Sequence, residues 1–344
     1  MRSLLVYCRP GFESECAQEL AGTIDKGDRR ARFDPADGYV EFQAIDESKD
    51  RSIPYAKVDT RCLIFARQSL LAFAHIEQLQ RNDRLTPIMA ALTTRGEHYC
   101  DAWAEAPDTD DGKALAPFCK SFGNALIGGL KRARLLDHTA PRRLHAFFPQ
   151  SDNVYLAVAD PATSAPWPQG IPRLKFPRDA PSRSTLKLDE AFLVLLDEGE
   201  RTRWLKPGMT AVDLGAAPGG WTWQLVRRSM RVTAVDNGPM NRALMDSGLV
   251  AHLREDGFRF RPKKPVDWLV CDMVEQPRRI AELISRWLAQ GWCRRVIFNL
   301  KLPMKKRYEE TQRCLDLVRA AAHDVRARQL YHDREEITVF AQRQ

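Results

Sequence analysis

Apolar and polar positions change their period repeatedly along the chain, and each change marks an element. Ser3-Leu4-Leu5-Val6-Tyr7 is a short apolar run stopped by Arg9-Pro10-Gly11, the pattern of a strand followed by a turn. Helical spacing follows from Glu13 to Gly22, and strands are expected around Gly38 to Phe42 and Thr60 to Phe73, with a second helix between them. Strand, helix, strand at this size predicts a ferredoxin-like α+β module over residues 1–80. Asn82-Asp83-Arg84 marks a boundary. Residues 81–160 carry expected strands at His98 to Ala104, His145 to Phe148 and Asn153 to Ala159, and a helix from Gly112 to Arg134. Asp110-Asp111 at its start and Lys131-Arg132 at its end suit the helix dipole.

Periodicity stops between residues 161 and 181, where prolines recur at 161, 166, 168, 172, 177 and 181. Such density excludes a helix or a central strand, so this stretch reads as an extended connector. Beyond it, strands and helices alternate in the manner of a Rossmann-like domain over residues 182–344. A helix begins within Ser182 to Glu190, with Ser or Thr expected as its cap. Strands are expected at Thr210 to Asp213, Arg231 to Val235, Val266 to Cys271 and Arg295 to Leu300, and helices at Trp221 to Met230, Arg278 to Gln290 and Tyr308 to Ala322. Ala327 to Leu330 and Glu336 to Phe340 read as an antiparallel hairpin closing a mostly parallel sheet.

The stretch Asp213-Leu214-Gly215-Ala216-Ala217-Pro218-Gly219-Gly220-Trp221 joins the first of these strands to its helix. It lacks the Lys-Ser/Thr that a P-loop needs after its last glycine, and its spacing is not G-x-G-x-x-G. Asp236 ends the second strand, where a carboxylate can accept bonds from the two hydroxyls of a ribose. Asp256 is placed to meet an adenine amino group. Ligands of open parallel sheets bind outside the carboxyl ends of the strands, and Asp213, Asp236, Asp272 and Lys301 all fall there.

Charge adds a partner class. The formal net charge of +8 suits a polyanion, and its placement says more than its total. Arg173, Lys175, Arg178 and Arg183 are interleaved with Trp167 and Phe176, and Lys305-Lys306-Arg307 follow Lys301. Cations between aromatics suit single-stranded RNA, whose phosphates pair with the former while bases stack on the latter. These seven residues are the expected RNA contacts. The eight cysteines are scattered without a C-x-x-C pair, so neither a disulfide framework nor a metal site is expected. No apolar run is long enough to span a bilayer, and no signal peptide is expected from the first residues.

The strings S-R-S-T-L-K-L-D-E, D-L-G-A-A-P-G-G-W, C-D-M, N-L-K and R-E-E-I-T together resemble the FtsJ-type RNA ribose 2'-O-methyltransferases, which carry a Lys-Asp-Lys-Glu tetrad. Lys187, Asp272 and Lys301 match its first three members. Glu335 and Glu336 both adjoin the fourth, and Glu336 is preferred because it immediately precedes the apolar strand. A closer likeness, over nearly the whole chain, is to a branch of that family that methylates a cytidine in the peptidyl-transferase region of bacterial 23S rRNA. The resemblance implies a ferredoxin-like module and a THUMP-like RNA-binding module before the Rossmann-like domain. It implies S-adenosylmethionine held by Ser184, Asp213, Gly215, Ala217, Pro218, Gly219, Gly220, Trp221, Asp236, Asp256 and Asp272. It also implies 23S rRNA as partner, with no DNA, and a monomer in the cytoplasm.

The chemistry asks for such a set. A methyl group on a sulfonium is already activated, so the protein has to place the ribose oxygen behind it and accept the hydroxyl proton. A lysine does this only when neutral, which burial and a second cation favour. Lys301 is the expected base, with Lys187 as the second cation. A catalytically inactive rRNA-binding assembly factor is the competing class, and a base methyltransferase the competing enzyme. Base methyltransferases acting on exocyclic amines commonly carry an N-P-P-[YF]-like motif after the fourth strand, where this chain reads Asp272-Met273-Val274-Glu275.

Overall fold

A computed structural model describes residues 3–24, 31–44 and 59–343. Arg29, Arg30 and the helix expected between residues 42 and 60 lie outside the described residues. The chain divides into two compact units, Met1–Pro172 and Arg173–Gln344.

The first unit contains β1 (Ser3–Cys8), α1 (Glu13–Ile24), β2 (Ala31–Ala36), β3 (Tyr39–Ala44), β4 (Ala66–Ile76), α2 (Leu85–Arg95), β5 (Ala102–Glu105), α3 (Asp110–Ala114), α4 (Ala116–Arg132), β6 (Arg143–Gln150) and β7 (Asn153–Ala159). All seven strands form one sheet in the order β2-β3-β1-β4-β7-β6-β5. The boundary near residue 80 therefore does not break the sheet: β4 pairs with β1 on one side and with β7 on the other. Strand periodicity shows which face a residue takes, and carries no information on which strands lie alongside. The helix expected from Gly112 to Arg134 is two helices. Thr109 caps the first through Gly112 N–H at 2.9 Å, and Pro117, which has no N–H to give, sits in the first turn of the second.

The proline-rich connector holds no α-helix or sheet strand, as its composition requires, but it turns at residues 161–163 and forms a single 3-10 turn at Pro168–Gly170, and residues 161–172 are docked on the first unit. Ala165 and Ile171 are buried. The Gln68 amide donates to Ala165 O and accepts from Ala165 N–H, each at 3.2 Å, and Gln169 Nε2 donates to Ala106 O at 2.6 Å. Proline fixes backbone angles and leaves side-chain burial open, which is why the sequence reading sees only a linker here.

The second unit contains α5 (Thr185–Leu195), α6 (Glu198–Trp204), β8 (Thr210–Leu214), α7 (Gly220–Val226), β9 (Arg231–Val235), α8 (Arg242–Asp246), β10 (Val250–Leu253), β11 (Val266–Cys271), α9 (Pro277–Ala289), β12 (Cys293–Lys301), α10 (Arg307–Arg319), β13 (Asp324–Arg328) and β14 (Glu336–Gln342). Its sheet runs β10-β9-β8-β11-β12-β14-β13. The first five strands in that order are parallel, β14 runs antiparallel to β12, and β13 pairs antiparallel with β14, the closing hairpin expected from the sequence. The strand order reverses direction between β8 and β11, so their carboxyl ends flank the switch point where open α/β sheets form a crevice. Helix α9 shows why such helices lie on the sheet: Ile280, Leu283, Ile284, Trp287 and Leu288 fall on one stripe and all are buried.

Trp268, central on β11, is fully buried among Phe192 and Phe340, and its Nε1 donates to Trp204 O at 2.6 Å. Trp268→Ala removes both packing and this bond, and should destabilise the second unit by about 3–5 kcal/mol. Chemical denaturation of the variant should show that unit's transition at lower denaturant; an unchanged midpoint would contradict the placement.

Candidate active site

The glycine loop closes on itself at the carboxyl end of β8. Gly219 has φ 116°, and an added Cβ would collide with Leu244 of α8. A Cβ on Gly220 would collide with the hydroxyl oxygens of Ser182 and Ser184. The loop thus lies against the start of α5, where the Ser182 and Ser184 hydroxyls hydrogen-bond each other at 2.7 Å. Neither serine nor threonine caps α5 through its side chain, contrary to expectation: Ser184, the residue before the helix, has helical angles (φ −60°, ψ −19°) rather than the extended backbone a side-chain cap favours.

Asp213 and Asp236 stand on either side of the loop with different tasks. Asp236 accepts from Ala217 N–H at 3.0 Å and Gly238 N–H at 2.7 Å, so its carboxylate fixes the loop and remains partly exposed. Asp213 is buried, with Oδ2 accepting from Thr222 Oγ1 at 2.6 Å and Oδ1 without a hydrogen-bond partner among the described residues. Burial pushes its pKa up to about 7, against the pull of the Thr222 hydroxyl, and Asp272 adds to the rise. An orphaned carboxylate oxygen at the switch point suits a cationic ligand. A loop lined by backbone and serine hydroxyls at Ser184, Gly215, Ala217, Pro218, Gly219 and Gly220 suits the polar end of one. These residues therefore fit a sulfonium cofactor with an amino-acid end. The Trp221 ring is buried in the core cluster with Leu188, Phe192 and Trp268, so of this residue only the backbone can serve such a ligand. Asp256 is half exposed and holds its own turn, accepting from Phe258 N–H at 2.8 Å.

Next to the loop, three elements bring an ion cluster together. Lys187 Nζ, from α5, lies 3.4 Å from Asp272 Oδ1 after β11 and 3.4 Å from Glu336 Oε1 at the start of β14. Burial of Lys187 disfavours its charge, but Asp272, Glu336 and Asp333 outweigh this and raise its pKa above the ordinary lysine value. Burial raises the pKa of Asp272 in turn, opposed by Lys187 and by a 2.7 Å bond from Asn299 Nδ2. The Lys187 ammonium is the firmly charged member, since two carboxylates share it. Lys301 ends β12 and pairs in register with Glu336, with its side chain exposed. Glu335 turns away to Arg307 at 3.2 Å, so of the two adjoining glutamates only Glu336 touches Lys187.

The expected RNA contacts are dispersed. Arg173 lies over the Tyr331 ring, 5.0 Å from its centre, and Arg307 is committed in part to Glu335. Lys175, Arg178, Arg183, Lys305 and Lys306 are exposed. Lys175 and Phe176 line an open pocket of about 610 Å³ with Trp223 and Arg227. Sequence reasoning missed Asn299, Thr338, Asp333 and Glu190, which form a polar layer behind the cluster. Period two along β12 and β14 was the available signal, since Asn299 shares a face with Lys301 and Thr338 with Glu336. It also missed Val274 and Met304, which stand 78% and 92% exposed on the loops after β11 and β12.

Three family models match parts of the chain: an RlmM ferredoxin-like domain over residues 1–70, the N-terminal domain of ribosomal RNA large subunit methyltransferase M over 83–160, and an FtsJ-like methyltransferase over 180–323. Ribosomal RNA large subunit methyltransferase M of Xanthomonas axonopodis pv. citri is 55% identical over 351 aligned residues, covering 100% of both chains. That of Xanthomonas oryzae pv. oryzae is 54% identical with the same coverage. The chain belongs to the ribosomal RNA large subunit methyltransferase M family. The crystal structure of TrmN from Thermus thermophilus covers 99% of this chain and 100% of its own at 17% identity, with a TM-score of 0.37, too loose a likeness to bear on the site. The FtsJ-like match begins just before Ser182 and Ser184, and so takes in Lys187, the glycine loop, Asp272 and Lys301.

Asp213 also has a pH signature. Its folded pKa of about 7 exceeds the unfolded value of roughly 3.9, so ionising it costs folding free energy. Its contribution to stability is greatest below about pH 4 and falls as pH rises toward 7. Asp213→Asn should flatten that portion of the stability-pH curve of the cofactor-free protein. A wild-type slope that persists in the variant would show that another group carries it.

Proposed function

We propose that this methyltransferase acts on the 2'-hydroxyl of a cytidine in the peptidyl-transferase region of 23S rRNA, cytidine 2498 by the family likeness, with Lys301 as general base. The methyl donor is S-adenosylmethionine, which supplies an electrophilic methyl on a sulfonium. The single observation that carries the reading is the clamp on Lys187. Asp272 and Glu336 both spend their charge on that ammonium, at 3.4 Å each. They are thereby drawn away from stabilising a charge on Lys301, which lies across the ladder from Glu336.

From this follows a division of labour. Lys187 stays cationic between its two carboxylates, and Lys301 is the lysine left to accept the ribose proton. Lys301 is exposed in the free protein, which departs from the buried base expected from chemistry alone. Its desolvation comes with the docked nucleotide, whose ribose covers the carboxyl edge of β12. Asp272 and Glu336 orient Lys187 and the ribose; Asp213, Asp236 and the glycine loop seat the donor. Lys175, Arg178, Arg183, Lys305 and Lys306 offer cations to phosphates along the approach, a sequence-independent contribution that weakens with salt. A 2'-hydroxyl acceptor excludes DNA, and the protein acts as a cytoplasmic monomer in this reading.

The test uses labelled donor and 23S rRNA from a strain lacking the modification, with the product mapped to its nucleotide and atom. Methyl transfer to the 2'-oxygen of the cytidine is expected. Transfer to a base, or none at all, would count for the base methyltransferase or the inactive assembly factor. Lys301→Ala should reduce turnover by about 10³-fold or more, within the range that loss of a general base allows, while donor binding measured by calorimetry stays intact. Near-normal turnover with an unchanged pH profile would remove Lys301 from this role.

A further inference from the structure

We infer that Asp333, Thr338 and Asn299 form a one-way hydrogen-bond chain that fixes Asp272, and that Asp333 holds a proton as its first link. The direction follows from counting donors. Asp272 Oδ1 lies 3.4 Å from the Lys187 ammonium, which keeps it an acceptor, and 2.7 Å from Asn299 Nδ2. The Asn299 amide group therefore faces Asp272, and its carbonyl oxygen faces Thr338 Oγ1 at 2.8 Å. That carbonyl can only accept, so the Thr338 hydroxyl gives it its single proton.

Thr338 Oγ1 also lies 3.1 Å from Asp333 Oδ1 and 3.0 Å from Asp333 Oδ2. Having given its proton to Asn299, the hydroxyl can only accept here, and the donor has to be a carboxylic acid. Asp333 Oδ2 already accepts from Leu330 N–H at 3.0 Å, which leaves Oδ1 as the protonated oxygen. With an ionised Asp333 the threonine proton would turn toward it, leaving Asn299 Oδ1 against an oxygen without a proton in a buried setting. The surroundings agree. Asp333 is 1% exposed and faces Glu190 and Lys187 of α5 and Glu336 of β14, so a further negative charge would join two others beside one lysine. Burial first, and Glu190 second, push its pKa well above the carboxylate range.

Three residues that need touch no substrate thus act as positioning residues. They hold the Asp272 carboxylate at one oxygen and leave Oδ2 with no protein partner among the described residues, available to the site.

Infrared spectra of the full chain labelled with carboxyl-¹³C aspartate, compared between wild type and Asp333→Asn at neutral pH, test the proton directly. A protonated-carboxyl band that the variant loses is expected. Asp333→Asn copies a neutral acid, with an amide to donate and a carbonyl to accept, so it should fold and keep kcat for rRNA methylation within about twofold. Thr338→Ser keeps the hydroxyl and should behave like wild type. Thr338→Val should lower kcat about tenfold or more with KM for RNA unchanged. Absence of the band, failure of Asp333→Asn to fold, or wild-type kcat in Thr338→Val overturns the chain. If Thr338→Val does not fold, the band and the turnover of Asp333→Asn decide. The inference rests on Asp272 belonging to the catalytic group, and the two fail differently. Full turnover in Asp272→Asn sinks that assignment while the band persists; loss of the band with Asp272→Asn inactive sinks only the chain.

Discussion

The catalytic unit depends on one half-buried ammonium. Lys187 joins α5, the end of β11 and the start of β14, and each of these supplies something the others cannot balance. Burying an ion pair costs desolvation that its attraction barely repays, so such a cluster is weak as a source of stability. Its use is positional. Without the lysine, Asp272 and Glu336 would face each other uncompensated beside Asp333 and Glu190. Because its pKa is raised above the unfolded value, the contribution of Lys187 is complete at neutral pH and is lost only as pH climbs through the folded pKa. The clamp is therefore constant over the range in which a methyl transfer enzyme works.

Carboxylates at neighbouring strand ends are differentiated by their surroundings alone. Asp236 is tied to two backbone amides and partly exposed, Asp213 is buried with one oxygen unpartnered, and Asp272 is held between an ammonium and an amide. The same residue type thereby ties down a loop, keeps one buried oxygen unpartnered among the described residues, and gathers an amide and an ammonium. The glycine loop makes this packing possible, since side chains at Gly219 and Gly220 would displace α8 and the start of α5.

Much of this was legible in the sequence. Period and punctuation located most strands and helices, and Asp213, Asp236, Asp272 and Lys301 announced themselves by ending apolar runs. What was not legible depends on partners rather than pattern. The one-sheet first unit required knowing that β4 has neighbours on both edges. The docked connector depended on Gln68 and Gln169 finding backbone groups far away in sequence. The short helices α6 and α8 are too brief for a helical period to register. That the Trp221 ring packs into the core was not legible either, because an aromatic beside a ligand loop and an aromatic in the core look alike in one dimension. Asn299, Thr338 and Asp333 look unremarkable singly, and acquire meaning only when the β12–β14 register sets them in line.

That register has a further consequence. Asn299 pairs with Thr338 and Lys301 with Glu336 on the same antiparallel ladder. Side chains alternate strictly along a strand, so a slip of one residue would turn Glu336 and Thr338 to the opposite face. Misdocking of β14 would thus cost the enzyme its lysine clamp and its polar backing in a single step. Sheet closure and site assembly are the same event. A near-native chain with a shifted final strand lacks the Lys187–Glu336 contact, so the ion cluster itself reports that the sheet has been closed in register.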